Sequence, residues 1–337
     1  MIPFKIGQLE LPNRILYAPL AGCSDLPYRK MSRKYGPALV YCEMVKIDAL
    51  VRHDPNTYRL LDYERGMHPI GAQLCGSKPK LVAQAAKIVE DLGFDVIDFN
   101  CGCPVDKVTK DGSGSGMLKT PELIGEMISI MASAVKVPVT VKIRVGWDDE
   151  TINAKEITRI AERAGAKAIT IHGRTREQGY RGKANRDHIK ACKEVAREIL
   201  VIGNGDIFDP ESALDMFSHT GCDAILVARG TMGQPWIAED ILRVMEGKPK
   251  IERGVLEIRD HLLEHFEAIV AYQPERQALL DMRRVGCWYL KRLQGVKELR
   301  ISINKAASTR DVFQYLDQFD WNAIEMSREV LFAESEC

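Results

Sequence analysis

Residues 98–105 read Asp-Phe-Asn-Cys-Gly-Cys-Pro-Val directly after an apolar run, so two thiols stand one residue apart at the end of a buried segment. The question is which thiol does chemistry, and of what kind. Metal ligation fits poorly. Cys101 and Cys103 lack the two-residue gap usual for zinc, and no second Cys or His pair stands nearby. A disulfide between neighbours so close in sequence would be badly strained.

Other chemistry-bearing residues recur at comparable places. Lys142 sits in VTVKIRV, where the apolar neighbours predict a buried strand. A lysine there needs an anionic or accepting partner. The pyrimidine edge of a flavin would serve, since a nearby cation stabilises negative charge on the reduced ring. Gln73 could hydrogen-bond the same edge, and His172, followed by Gly-Arg, is placed for a ligand contact. The segments GNGDI (203–207) and ARGTMGQPW (228–236) carry glycines that let backbone N–H groups face an anion. Arg229 adds a cation to grip a phosphate. GSGSGM (112–117) lacks a dinucleotide fingerprint and reads as a flexible loop.

These residues need elements to position them. From residue 14 to about 245 the chain repeats one pattern, a short apolar run followed by a loop and a helical segment. The strand candidates are RILYAPL (14–20), ALVYCEM (38–44), PIGAQLCG (69–76), DVIDFN (95–100), VPVTVKIRV (137–145), AKAITIHGR (166–174), ILVIGNG (199–205) and CDAILVARG (222–230). Such near-continuous apolar runs indicate parallel strands covered by helices. Eight of them predict a (β/α)₈ TIM barrel, with its active site at the C-terminal strand ends, where the residues above lie. Residues 45–68 form the weak unit, with a poorly defined second helix. EGKPKIERG (246–254) reads as a linker. Beyond it no strand signal follows, and HLLEHFEAIVAYQ, LLDMRRVGCWYLKRL and WNAIEMSREVLFAE predict an all-helical domain over 255–337, after a barrel domain over 1–245.

The chain has 337 residues, 45% hydrophobic and 28% charged, with zero formal net charge, so composition points to a soluble globular protein and any anion-binding surface must be local. No apolar run approaches the roughly 18–20 residues of a membrane span, and the N-terminus lacks a secretory pattern. Nine cysteines without scaffold spacing predict reduced thiols and a cytoplasmic location. One local surface stands out. Between Arg283 and Arg310 lie eight basic residues against Glu298 alone, a charge of about +7. On a helix, Met282, Val285, Tyr289, Leu290 and Leu293 share one face, while Arg283, Arg284, Lys291 and Arg292 fall on or near the other. The plain reading of such a patch is a solvated helix face; the other is contact with a phosphate backbone.

Taken together, APLAGCSD, DFNCGCP, VTVKIRVGWDD, ITIHGRTREQGYRG, IGNGDI, ARGTMGQPWI and MRRVGCWYLKRLQG resemble the tRNA-dihydrouridine synthases, of the broad bacterial type. The resemblance runs from about residue 4 to 310. It implies an FMN-binding barrel with a helical tRNA-binding domain, and reduction of selected tRNA uridines with electrons from NADPH. It implies Cys103 as proton donor with Asn100 beside it, and gives Cys101 no role. Gln73, Lys142 and His172 would contact the flavin, Pro19 and Leu20 would pack on it, and Asn204, Gly205, Asp206, Arg229 and Gly230 would hold its phosphate end. Arg174 would lie near cofactor or substrate, while Arg283, Arg284, Lys291 and Arg292 would meet the tRNA. Ser24 stands where the family often has threonine. A monomer without structural metal is expected. The rival readings are an FMN barrel acting on a free pyrimidine, like a dihydroorotate dehydrogenase, an RNA chaperone with a vestigial barrel, and a flavin-free aldolase using Lys142 as a Schiff base.

Overall fold

The computed structural model describes residues 4–327. Eight parallel strands close into a barrel: β1 (Ile15–Tyr17), β2 (Leu39–Lys46), β3 (Ile70–Cys75), β4 (Val96–Cys101), β5 (Val139–Arg144), β6 (Ala168–His172), β7 (Leu200–Asn204) and β8 (Ala224–Val227). They pair in sequence order, and β8 returns to β1 through Ile225 opposite Ile15. Each falls inside or across the apolar run that predicts it. Helices cover the strands from outside, and β3 and β4 are buried along their whole length.

The short antiparallel pair Phe4–Ile6 and Leu9–Leu11 is not foreseen by the sequence reading. Its buried Phe4, Ile6 and Leu11 pack with Leu39, Val96, Ala168 and Ala224. These four begin alternate strands, so the hairpin closes the N-terminal end of the barrel over a layer from β2, β4, β6 and β8. The weak unit at 45–68 resolves into an extended β2 and two short helices, Ile47–Val51 and Pro55–Leu60. Between β2 and β3 the register shifts from Tyr41 to Met44, an irregularity that re-aims the rim side chains of β2.

The C-terminal part contains helices Val255–Tyr272, Glu275–Leu290, Lys297–Lys305 and Thr309–Gln318. Its core includes Leu20, Tyr28, Met232 and Trp236 from the loops and first helix of the barrel, so one apolar cluster spans both parts. Residues 246–254 are no loose tether. Arg253 is buried, pairs with Asp240 at 2.9 Å, Glu239 at 2.5 Å and Glu257 at 3.3 Å, and stacks 4.9 Å from the Trp236 ring. The helix expected over 321–334 does not form within the described residues. The Trp321 indole donates to the Leu316 carbonyl at 2.8 Å, and Glu325–Met326 pairs with Leu293–Gln294 as a two-stranded ribbon. Residues 328–334 lie outside the described residues.

Candidate active site

A cavity opens at the C-terminal ends of the strands and gathers most of the expected residues. Pro19, Leu20, Gln73, Asn100, Cys103, Lys142, His172, Asn204, Gly205, Asp206 and Arg229 all line it. Met44, Arg144, Tyr180 and Phe208 line it too. The sequence reading assigns these four no role: Met44 and Arg144 lie in strands β2 and β5, and an aromatic in a loop, such as Tyr180 or Phe208, carries no signal until the loop is folded over the site.

The structure separates the two thiols. Cys101 ends β4 with its side chain fully buried against Met117, 3.8 Å sulfur to sulfur. Burial first, then the neighbouring Cys75 thiol and Asp98 carboxylate, push its own thiol far above the ordinary range. Cys103, past the strand end, is half-buried in the cavity wall. Its backbone is held from several sides. Asn100 Oδ1 accepts from the N–H groups of Gly102 at 3.1 Å and Cys103 at 2.9 Å. The Cys103 carbonyl accepts from Ser115 N at 3.0 Å and Ser115 Oγ at 2.9 Å. Ser115 belongs to the glycine-rich segment expected to be flexible. That expectation is corrected: Gly114–Lys119 forms a tight turn with Gly114, Ser115, Met117 and Leu118 buried, propping the cysteine loop.

Arg144 is buried at the end of β5, and burial, then neighbouring cations set against Tyr180 and Cys103, lowers it to about 10. Its Nε donates to Gly102 O at 2.9 Å and its Nη1 to the carbonyls of Thr175 at 2.8 Å and Gly179 at 2.7 Å. Lys142 is lowered to about 8 by burial first and by Arg144 second, with Asp98 and Cys103 acting against this. His172 is held well below its ordinary value by burial and by Arg144, Lys142, Arg174 and Arg229 around it. It is therefore neutral at pH 7, able to hydrogen-bond but adding no further charge. Three amides, a lysine and a neutral imidazole thus face one cavity beside apolar Ala18, Pro19, Leu20 and Met44, a donor set that fits a flat heterocycle with an electron-accepting edge.

The loops after β7 and β8 meet closely. Gly205 has φ +117° and Asp206 φ +49°, so the chain turns sharply at the strand end. A Cβ on Gly230 would lie 2.1 Å from the Ile207 carbonyl oxygen, so only glycine lets these loops touch. Gly230 thus serves the loop contact and is not among the residues lining the cavity. Arg229 lines the cavity with its guanidinium 4.5 Å from the Tyr180 ring and 5.5 Å from Phe208, a stacked cation suited to a phosphate. Asp206 turns its carboxylate away from such a role, toward Arg174 at 2.8 and 2.9 Å and the Ala184 N–H at 2.8 Å.

Two groups of residues are largely engaged inside the protein. Arg174, expected near cofactor or substrate, is only 2% exposed and is not among the residues lining the cavity, while its Nη1 lies 3.4 Å from Nε2 of His172, which does line it. Its guanidinium is spent on Asp206 and on the carbonyls of Arg181 and Gly182, so it shapes the loop after β6 from within. The expected open basic face is also smaller. Arg283 donates to the Ala306 carbonyl at 2.8 Å, and Arg284 pairs with buried Asp281 at 2.9 Å. Arg292 is lowered to about 10 by burial. Lys291 and Arg292 lie past the helix end and are half-buried. Lys297, Lys305 and Arg310 are the exposed cations of this region.

Among the described residues no cluster of three or more His, Cys, Asp or Glu side chains could hold a metal, and no helix is long and apolar enough to cross a membrane. Solved structures with the same fold include histamine dehydrogenase from Rhizobium sp. 4-9, with a TM-score of 0.55 and 16% identity over 80% of this chain and 50% of that one. A mutant of morphinone reductase in complex with tetrahydroNAD aligns with a TM-score of 0.53 and 14% identity, over 76% of this chain and 93% of that one. At such identities the likeness shows the barrel alone. Sequence relatives are much nearer. tRNA-dihydrouridine synthase B of Pseudomonas aeruginosa is 37% identical over 306 residues, covering 90% of this chain and 92% of that protein. A probable tRNA-dihydrouridine synthase 1 of Synechocystis sp. is 36% identical over 318 residues, covering 94% and 89%. With residues 16–325 also matching the model of the Dihydrouridine synthase (Dus) family, the chain belongs to that family.

Proposed function

We propose that this protein reduces uridines of tRNA to 5,6-dihydrouridine, with FMN in the barrel mouth and NADPH as reductant. The observation that carries the reading is the split between the two thiols. Cys103 stands half-buried in a cavity wall beside Lys142, Gln73 and Asn100, while Cys101 is sealed behind β4. Gln73, Asn100, Lys142 and neutral His172 would hold the polar edge of the ring, Pro19 and Leu20 would pack on it, and Arg229 with the Asn204–Gly205 turn would take the phosphate. A flavin bound there would supply the hydride for carbon 6 of the uracil.

The protein's own part is acid chemistry and positioning. As hydride arrives at carbon 6, negative charge develops at carbon 5 and oxygen 4. The Cys103 thiol gives its proton to carbon 5, and the resulting thiolate is reprotonated from water, so the carbon–carbon double bond is reduced in balance. Turning the uridine out of its stack costs on the order of a few kcal/mol. Phosphate contacts from Lys297, Lys305 and Arg310, with Arg283, Arg284 and Lys291 at their edge, offset this while orienting the tRNA. The barrel over 1–245 is thus the catalytic part, and the helices from 255 onward the RNA-binding part.

The test compares Cys103→Ala with Cys101→Ala, counting dihydrouridine formed in tRNA and flavin bound to each protein. Loss of product only in Cys103→Ala, with flavin retained in both, is expected. Equal activity of the two variants would sink the assignment. Reduction of free uridine monophosphate as fast as tRNA would favour the free-pyrimidine reading instead.

A further inference from the structure

The reaction proposed above leaves one buried ionisable group unused. Asp98 lies in the middle of β4, 4% exposed, directly across the sheet from Gln73 on β3 and Thr140 on β5. Gln73 Nε2 donates to its Oδ2 at 2.7 Å, and Thr140 Oγ1 donates to its Oδ1 at 2.6 Å. Burial raises its carboxyl to about 6, opposed by those two hydrogen bonds and by Lys142, so it is still an anion at neutral pH.

An ionised carboxylate accepts hydrogen bonds and cannot donate them. Gln73 must therefore turn its NH₂ group to Asp98, which leaves its Oε1 to accept from Asn100 Nδ2 at 2.7 Å. Asn100, its NH₂ committed, has only Oδ1 for the N–H groups of Gly102 and Cys103. Reversing both amides would set acceptor against acceptor at Asp98 and donor against donor at the Cys103 backbone. Each amide alone could face either way, so the direction of the chain comes from its two ends, the carboxylate that only accepts and the N–H groups that only donate.

We propose that Asp98 is a positioning residue that anchors the far end of the Gln73–Asn100 amide chain and so holds Cys103 at the cavity wall. Its effect on catalysis rests on the reading of Cys103 as the proton donor; the holding itself does not.

The test therefore uses two readouts on the full-length protein. The first is the rate of Cys103 alkylation by iodoacetamide, followed peptide by peptide, with half-buried Cys287 as internal reference. The second is uridine reduction in tRNA. Asp98→Leu, Gln73→Met and Asn100→Ala should each speed Cys103 alkylation by about threefold or more, and the Asp98→Leu/Asn100→Ala double variant should add nothing beyond Asn100→Ala. Asp98→Asn, which can still accept from Gln73, should keep the rate within about twofold of the unmodified protein. Uridine reduction by Asp98→Leu should fall about a hundredfold. An unchanged Cys103 rate in Gln73→Met, or effects that multiply in the double variant, would overturn the proposal. If Asp98→Leu does not fold, Gln73→Met decides by itself. If alkylation responds as expected while even the unmodified protein reduces no tRNA, the role of Asp98 stands and the assigned reaction falls.

Discussion

The barrel mouth and the helical part both concentrate positive charge, but they treat it in opposite ways. At the mouth, Arg144 and Arg174 are buried and bonded to backbone carbonyls, Arg174 also to the Asp206 carboxylate and His172. Lys142, between Asp98 and Arg144, is lowered to about 8. In the helical part Lys297, Lys305 and Arg310 stand in water. Charge that holds a loop in place, or acts on one atom of a ligand, is dried and aimed, because its worth rises as the local dielectric falls. Charge that acts on a polyanion can stay solvated, since its contribution comes from releasing counterions and needs no exact geometry.

The seam between the regions gives the largest expected effect. Trp236 is buried between Tyr35 and His261 on one side and Tyr289 and Arg253 on another. Trp236→Ala should destabilise the fold by about 3–5 kcal/mol in denaturant unfolding, through lost packing and the cavity left behind. Two separate transitions in that variant would mean that the regions are held together mainly by this residue. Within the mouth, Lys142→Met should lower uridine reduction about a hundredfold while leaving the salt dependence of tRNA binding unchanged. The active form of Lys142 is its cation, so activity of the unmodified protein should fall as pH rises through about 8. Lys142→Arg, retaining charge at higher pH, should move that alkaline limb upward; a limb that stays put would assign it to another group. The smallest effect is expected outside. Lys305→Glu with Arg310→Glu should weaken tRNA binding and reduce the slope of log affinity against log salt by about two. An unchanged slope would erase the contrast, leaving the exposed cations as ordinary surface.

The barrel was legible because buried parallel strands are written as apolar runs, and the strand-end rule then nominates the residues after them. By that rule the sequence alone nominates Gln73, Lys142 and His172, all of which line the cavity. The choice of Cys103 over Cys101 came from family resemblance, and the strand geometry supplies its physical sense, since one thiol ends the strand and the other lies past it. What stayed hidden depends on partners distant in sequence. Arg174 and Arg229 look alike as loop arginines, yet Asp206 pairs with the first at 2.8 Å and lies 3.7 Å from the second. Ser115 sits in a glycine-rich string that resembles slack chain until the Cys103 carbonyl is seen beneath it. Helical spacing put Arg283 and Arg284 on a polar face correctly, but could not reveal that Ala306 and Asp281 already engage them.

Loops at a barrel rim are ordinarily interchangeable one at a time, which is why this scaffold is favoured for grafting. Arg144 removes that freedom for two of them. One guanidinium spans Gly102 in the loop after β4 and Thr175 and Gly179 in the loop after β6. Transplanting either loop from a relative would leave the other loop's carbonyls facing a misplaced cation. The two loops and their arginine therefore form a single exchangeable module, and redesign of this rim succeeds only by moving all three together.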